Sequence, residues 1–195
     1  MRLAVAAAVA AMAAGCALLV PAPTPVTYDL MAPTNVGPRS GSVRGVLVVP
    51  APTALQILDS QRIVVRSSGG QITYIANSQW PDRLTSLVQS RIIEAFENAG
   101  QQRAVGRPSD RLEANYDLVS DIRTFDVVVG GNGAAAEVSI AAKIVSDPGG
   151  RVVAARVFSA TAPVRSVDGQ GAAAGLQQAL RAVLDDIVRW ADQKI

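Results

Sequence analysis

The chain has 195 residues, with 18 basic and 16 acidic side chains, no histidine and one cysteine. That charge balance leaves no electrostatic footprint for nucleic acid. The missing histidine removes Ser-His-Asp and Cys-His catalysis and His-ligated zinc, and a lone cysteine allows neither an internal disulfide nor a thiolate metal cluster.

The N-terminus reads MRLAVAAAVAAMAAGC: one cation, Arg2, then an apolar run from Leu3 to Ala14, then Gly15-Cys16. A short basic region, an apolar stretch and small residues at its end predict a secretory signal peptide over 1–15. The competing reading is an uncleaved anchor in the inner membrane. Counted to Val20 the run gives about 27 Å of helix, at the lower limit for a hydrocarbon core of about 30 Å. Much of it is alanine, and Pro21 closes it. Ala13-Ala14-Gly15-Cys16 resembles the bacterial lipobox, with Ala13 where leucine is usual. A cysteine that merely follows an ordinary cleavage site is the alternative. Cleavage between Gly15 and Cys16, with acylation of Cys16 by palmitate-like chains, is the expectation. Ala17 follows, not the aspartate common in lipoproteins kept at the inner membrane, so the expected location is the periplasmic face of the outer membrane.

Residues 16–27 form the expected tether. Pro21, Pro23 and Pro25 at alternate positions favour extended polyproline geometry. A folded body is expected over 28–195, beginning at Tyr28-Asp29-Leu30 and interrupted by a loose segment at 31–43. Gly45 to Val49 reads as a buried strand. Arg62 to Arg66 and Gln71 to Ile75 flank Ser67-Ser68-Gly69-Gly70 and read as a hairpin. Pro81 suits a first helical residue. Leu84, Leu87, Val88, Ile92, Ala95 and Phe96 then recur at helical spacing as far as Asn98, with Gly100 as the stop. Trp80, just before that helix, is read as a structural anchor that staples the turn to the core, the alternative being an exposed contact for lipid or a partner.

Tyr116 to Val129 is rich in β-branched and aromatic residues. Val138, Ile140, Ala142 and Ile144 alternate with polar or small residues. Arg151 to Thr161 returns across the turn signal Asp147-Pro148-Gly149-Gly150. Leu176, Leu180, Val183, Leu184, Ile187, Val188 and Ala191 form the apolar stripe of a terminal helix that leaves Arg181, Asp185 and Arg189 in water. Two helices with one apolar side each need a sheet to cover. The predicted fold is therefore α+β in two layers: a mostly antiparallel sheet of about six to eight strands with both amphipathic helices on one face.

Candidate chemistry is sparse. Gly130-Gly131-Asn132-Gly133 lies between strands and opens no helix, so it reads as a hairpin turn and not a phosphate cradle. Asp117 and Asp121 share one side of a strand but lack a third ligand for a cation. Asp185-Asp186 are helix neighbours that do not face each other and read as a solvated surface. No catalytic residues, metal ligands or cofactor are expected.

Taken in order, several stretches resemble the ABC-type transport auxiliary lipoprotein family, which includes the periplasmic lipoproteins of Pqi-type systems. They are Tyr28-Asp29-Leu30 soon after Cys16, Leu58-Asp59-Ser60-Gln61-Arg62-Ile63-Val64-Val65-Arg66, and Ile72-Thr73-Tyr74-Ile75 leading to Trp80. Tyr116-Asp117-Leu118 with Asp121-Ile122-Arg123 and Phe125, then the terminal helix, complete the pattern. The resemblance implies a fold like the N-terminal domain of TolB. It also implies a non-enzymatic accessory whose partners are an MCE-type periplasmic protein and its ABC permease and ATPase, in a system that moves phospholipid or other apolar cargo between membranes. A structural or assembly lipoprotein that binds other envelope proteins without handling lipid is the alternative function.

Overall fold

A computed structural model describes residues 24–34, 45–100, 104–131 and 133–195. The strands are β1 (Val26–Thr27), β2 (Val46–Val48), β3 (Thr53–Ala54), β4 (Arg62–Ser67), β5 (Ile72–Gln79), β6 (Ala104–Gly106), β7 (Tyr116–Gly130), β8 (Gly133–Ser146) and β9 (Arg151–Val164). The helices are α1 (Leu84–Asn98) and α2 (Gly169–Asp192), and a single 3-10 turn spans Pro108–Asp110. All nine described strands join one sheet.

The long strands make an antiparallel meander. β7 pairs with β8 from Tyr116↔Ser146 to Gly130↔Gly133, and β8 pairs with β9 from Ala134↔Val164 to Ser146↔Arg151. The other edge of β7 is shared by three short strands, all parallel to it. β2 pairs at Tyr116 and Asp117, β3 at Asp121 and Ile122, and β4 from Asp126 to Val129. β5 returns antiparallel to β4, while β1 and β6 add in parallel to β5 and β2. The architecture is the expected α+β one, and the longer ladders are antiparallel. The sheet exceeds the six to eight expected strands because β1, β3 and β6 hold only two or three residues each, too few to display a period in sequence.

Period-two alternation places Leu118, Ile122, Phe125 and Val127 of β7 with Val138, Ile140, Ala142 and Ile144 of β8 on one face, each at most 1% exposed. Both helices belong to the same core cluster and touch each other. α2 lies close along β9. A Cβ added to Gly175 would come within 2.7 Å of Val164 Cγ2, and Trp190 meets Phe158 edge-on at 5.3 Å. Asp168 caps α2 by accepting from the Gly171 N–H at 2.7 Å.

α1 starts at Leu84, not at Pro81 as the sequence suggested. Its first turn is held from outside: the Leu84 N–H donates to the Ser60 carbonyl, and the Thr85 hydroxyl donates to Asp59 at 2.6 Å. Asp59 also receives the Arg83 guanidinium. The helix needs this loop because Arg83, at the cap position, offers no side-chain acceptor. Gly100 ends the helix as expected, at φ 68° with its N–H on the Glu97 carbonyl.

Candidate functional site

Side chains of both helices converge on the chain where it leaves β1. After β1 the chain crosses the helices as a strap, residues 28–34. Asp29 takes the Arg91 guanidinium of α1 on both carboxylate oxygens at 2.9 Å. The Gln177 amide of α2 pairs with Met31 in both directions, accepting from its N–H at 2.6 Å and donating to its carbonyl at 2.8 Å. Asn98 donates to the Pro33 carbonyl at 3.1 Å. Leu30 and Ala32 are buried beneath these bonds. The loose segment expected at 31–43 is therefore fixed over its first residues, 31–34, because side chains on both helices satisfy its backbone. Its remainder at 35–43 lies outside the described residues.

Gly15 and Cys16, the expected cleavage and acylation positions, also lie outside the described residues, as does Asn132 of the glycine-rich turn. Trp80 is 1% exposed and meets Phe125 of β7 edge-on at 6.1 Å. The backbone N–H of Trp80 donates to the Gln61 carbonyl at 2.7 Å. Residue 80 thus ties the loop before α1 to the centre of the sheet, through its backbone on one side and its indole on the other.

The carboxylates singled out in the sequence do not converge. Asp117 and Asp121 share the face of β7 away from the helices, about 13 Å apart at strand rise. Burial, and secondarily the Asp147 carboxylate, push the Asp117 carboxyl above its ordinary range. Asp121 instead accepts from the Thr53 hydroxyl at 2.8 Å. No group of three or more potential metal ligands occurs among the described residues. On α2, Asp186 pairs with Arg189 at 2.6 Å, as a solvated surface would. Asp185 departs from the expected water-facing position: it is half-buried, with Oδ1 lacking a hydrogen-bond partner. Burial raises its pKa, against the lowering pull of Arg189 and Arg181.

Two residues that sequence reasoning passed over organise this half of the molecule. Asp59 moulds the α1 N-terminus, as described. Asp126 is fully buried on β7, where Oδ2 receives Arg66 Nε at 2.9 Å and Nη2 at 2.6 Å. Its Oδ1 has no hydrogen-bond partner among the described residues. The available signal was a carboxylate inside an apolar strand, Phe125-Asp126-Val127, facing a strand flanked by arginines.

Comparison with known proteins places this geometry. The profile of the ABC-type transport auxiliary lipoprotein component family matches residues 28–188, which is the span of strap, sheet and helices. The crystal structure of the Xanthomonas campestris protein XCC0632, described as DUF330, is 30% identical. It superposes with a TM-score of 0.80 over 87% of this chain and 95% of that one. A second crystal structure, of an uncharacterized protein, shares the fold at 16% identity, with a TM-score of 0.68 over 86% and 99% of the two chains. The uncharacterized protein bll6063 of Bradyrhizobium diazoefficiens is 33% identical over 165 residues. Those cover 85% of this chain, which spans only 44% of that curated relative. None of the described helices is long and apolar enough to cross a membrane.

Proposed function

The chain belongs to the ABC-type transport auxiliary lipoprotein component family, and from that premise we propose that it is an outer-membrane-anchored accessory of an intermembrane lipid transport system. In this reading Cys16 becomes the mature N-terminus and carries the acyl chains. The prolines of 16–27 space the body from the membrane, and the body contacts an MCE-type periplasmic protein served by an ABC permease and ATPase. The protein turns over no substrate, and the cargo of the system is phospholipid or another apolar molecule. The observation that carries the reading is the family match over 28–188, which begins where the proposed tether ends. One acyl chain holds a protein only marginally and two hold it stably, at about 0.8 kcal/mol per buried CH₂.

Two measurements test it. Intact mass spectrometry of membrane-extracted protein should show loss of residues 1–15 and added acyl mass, and Cys16→Ser should abolish both. Co-purification from envelopes in mild detergent should recover the MCE-type protein or the permease. An unmodified chain retaining Met1 would return the anchor to the inner membrane. Recovery of other envelope proteins alone would favour a structural lipoprotein.

A further inference from the structure

β9 is an edge strand, paired on one side with β8 and on the other with nothing among the described residues. Long free edges expose rows of backbone donors and acceptors, which proteins usually blunt with charge, proline or a bulge. Here the bulge (Val153, the extra residue between the Ile144↔Ala154 and Val145↔Val152 pairs) and Pro163 stand near the two ends of the strand. Residues 154–162 between them pair with β8 without interruption.

Beside this edge runs a groove of about 410 Å³ between the end of β9 and the first turns of α2. Gly171, Ala174 and Gly175 give it a shallow floor, Gln170 and Gln178 line it with amides, and Arg165 closes one end. Neither glycine has room for a side chain. A Cβ at Gly171 would lie 2.2 Å from the Ser166 carbonyl, and one at Gly175 would lie 2.7 Å from Val164. Those positions are filled by the chain's own Ser166 and Val164, so the end of β9 itself packs closely on α2 and forms one wall of the groove. Between Asp147 and Asp168 the chain carries Arg151, Arg156 and Arg165 and no acidic residue; Arg165 is the charged side chain that lines the groove, and Glu137 of β8 stands opposite Thr161. Asp168, the nearest carboxylate in sequence, is committed to capping α2.

The geometry points to strand addition: an extended acidic segment of a partner protein pairs with the free edge of β9 and lays alternate side chains into the groove beside α2. Backbone bonds to the edge supply affinity, and the groove selects side chains. The arginines attract glutamate or aspartate and repel a second copy of β9, which would bring the same cations against them.

The test uses the full-length chain in mild detergent and a fluorescein-labelled peptide, as long as residues 154–162, that alternates glutamate with threonine and valine. Anisotropy should show saturable binding. Replacing glutamate by lysine should weaken it by at least about tenfold. N-methylation of alternate peptide amides, which removes their donors, should abolish it in one of the two phases. Ala174→Trp, at an exposed helical position, fills the groove, and Arg165→Glu reverses its charge; each should weaken binding by about tenfold with an unchanged melting temperature. Arg123→Glu, an exposed site on β7, should bind as the parent does. The proposal fails if the lysine peptide binds equally, if N-methylation changes nothing in both phases, if Ala174→Trp changes nothing, or if no binding occurs up to about 1 mM. It also fails if Ala174→Trp instead dissolves self-association seen in sedimentation, because a second copy would then be the occupant.

Discussion

The two halves of this sheet obtain their order from different sources. From β7 onward each strand pairs with the next, the turns lie between neighbours, and α2 folds back along the strand just completed. Before β7 the strands are mostly short, and β2, β3 and β4 find their partner in β7, 62 to 69 residues further along the chain. The helices show the same contrast. α2 has a capped start, a continuous apolar stripe and an exposed arc at Arg181, Ala182, Asp186 and Arg189. α1 has no side-chain cap, and none of its residues from Leu84 to Phe96 is fully exposed. Its polar side chains hold loops in place: Gln89 donates to the Val49 carbonyl, and Ser90 receives Arg107. One half is specified locally, and the other is completed by tertiary contact.

If that division is only one of specification, the halves should still unfold together. Trp80→Ala tests this with the largest expected effect, because the indole belongs to the nonlocal half and packs on Phe125 of the meander. The loss should be about 3–5 kcal/mol, seen as a single urea transition for the body from residue 24 onward. A biphasic transition, with the meander surviving, would break the comparison into two independent units.

The joint between β4 and β7 should come next. Arg66→Met removes the only partner, among the described residues, of a fully buried carboxylate, and breaking such a pair costs about 3 kcal/mol. The low end applies because Arg66 keeps 37% of its side chain exposed. Arg66→Met with Asp126→Leu should cost less than Arg66→Met alone, since the stranded charge leaves with its partner. Equal or greater loss in the double variant, measured by the same unfolding, would mean that packing and not charge carries the joint.

This division also explains what could be read from the sequence. The meander was legible in outline, with β7 placed to within a residue, β8 recognised over its alternating centre and β9 as far as Thr161, because side-chain pattern and turn signals such as Asp147–Gly150 fix both face and register. The hairpin of β4 and β5 was legible for the same reason. β1, β3 and β6 were not, since two or three residues have no period and their pairing is decided by strands far away. Pro81 misled because a proline before an apolar stripe signals a helix start, whereas contacts from Asp59 and Ser60 set the start at Leu84. The strap was misread as loose for a related reason: its partners, Arg91, Asn98 and Gln177, lie 62 to 146 residues away. Asp126 was missed because its partner Arg66 lies 60 residues away on β4, although its apolar flanks, Phe125 and Val127, mark it as unusual.

A smaller effect sharpens the local half. At Gly175 a methyl group would gain about 1 kcal/mol of helix propensity but would press Val164 Cγ2 at 2.7 Å and Ala136 Cβ at 3.1 Å. Overpacking of this kind costs about 1–3 kcal/mol, so Gly175→Ala should lose about 1 kcal/mol net. A gain in melting temperature would show that β9 gives way easily, which bears directly on the edge proposed to accept a partner strand.

The smallest effect concerns Asp117, where the two halves meet: β2 pairs with β7 at this residue. Burial first, and the Asp147 carboxylate second, raise its pKa in the folded protein. The folded state therefore holds the proton more tightly than the unfolded chain does. As pH rises from the ordinary aspartate range through the raised value, stability is lost, and above that value the whole penalty is present. Asp117→Asn removes it, so the variant should be more stable at pH 7, by less than about 1 kcal/mol because water screens the site. The advantage should vanish below about pH 4, where the native carboxyl is protonated in both states. Asp147→Asn relieves only the second cause and should give the smaller gain. If Asp147→Asn instead gives the larger one, repulsion across the β7–β8 ladder outweighs burial, and the penalty at Asp117 arises within the meander and not at its junction with the nonlocal half.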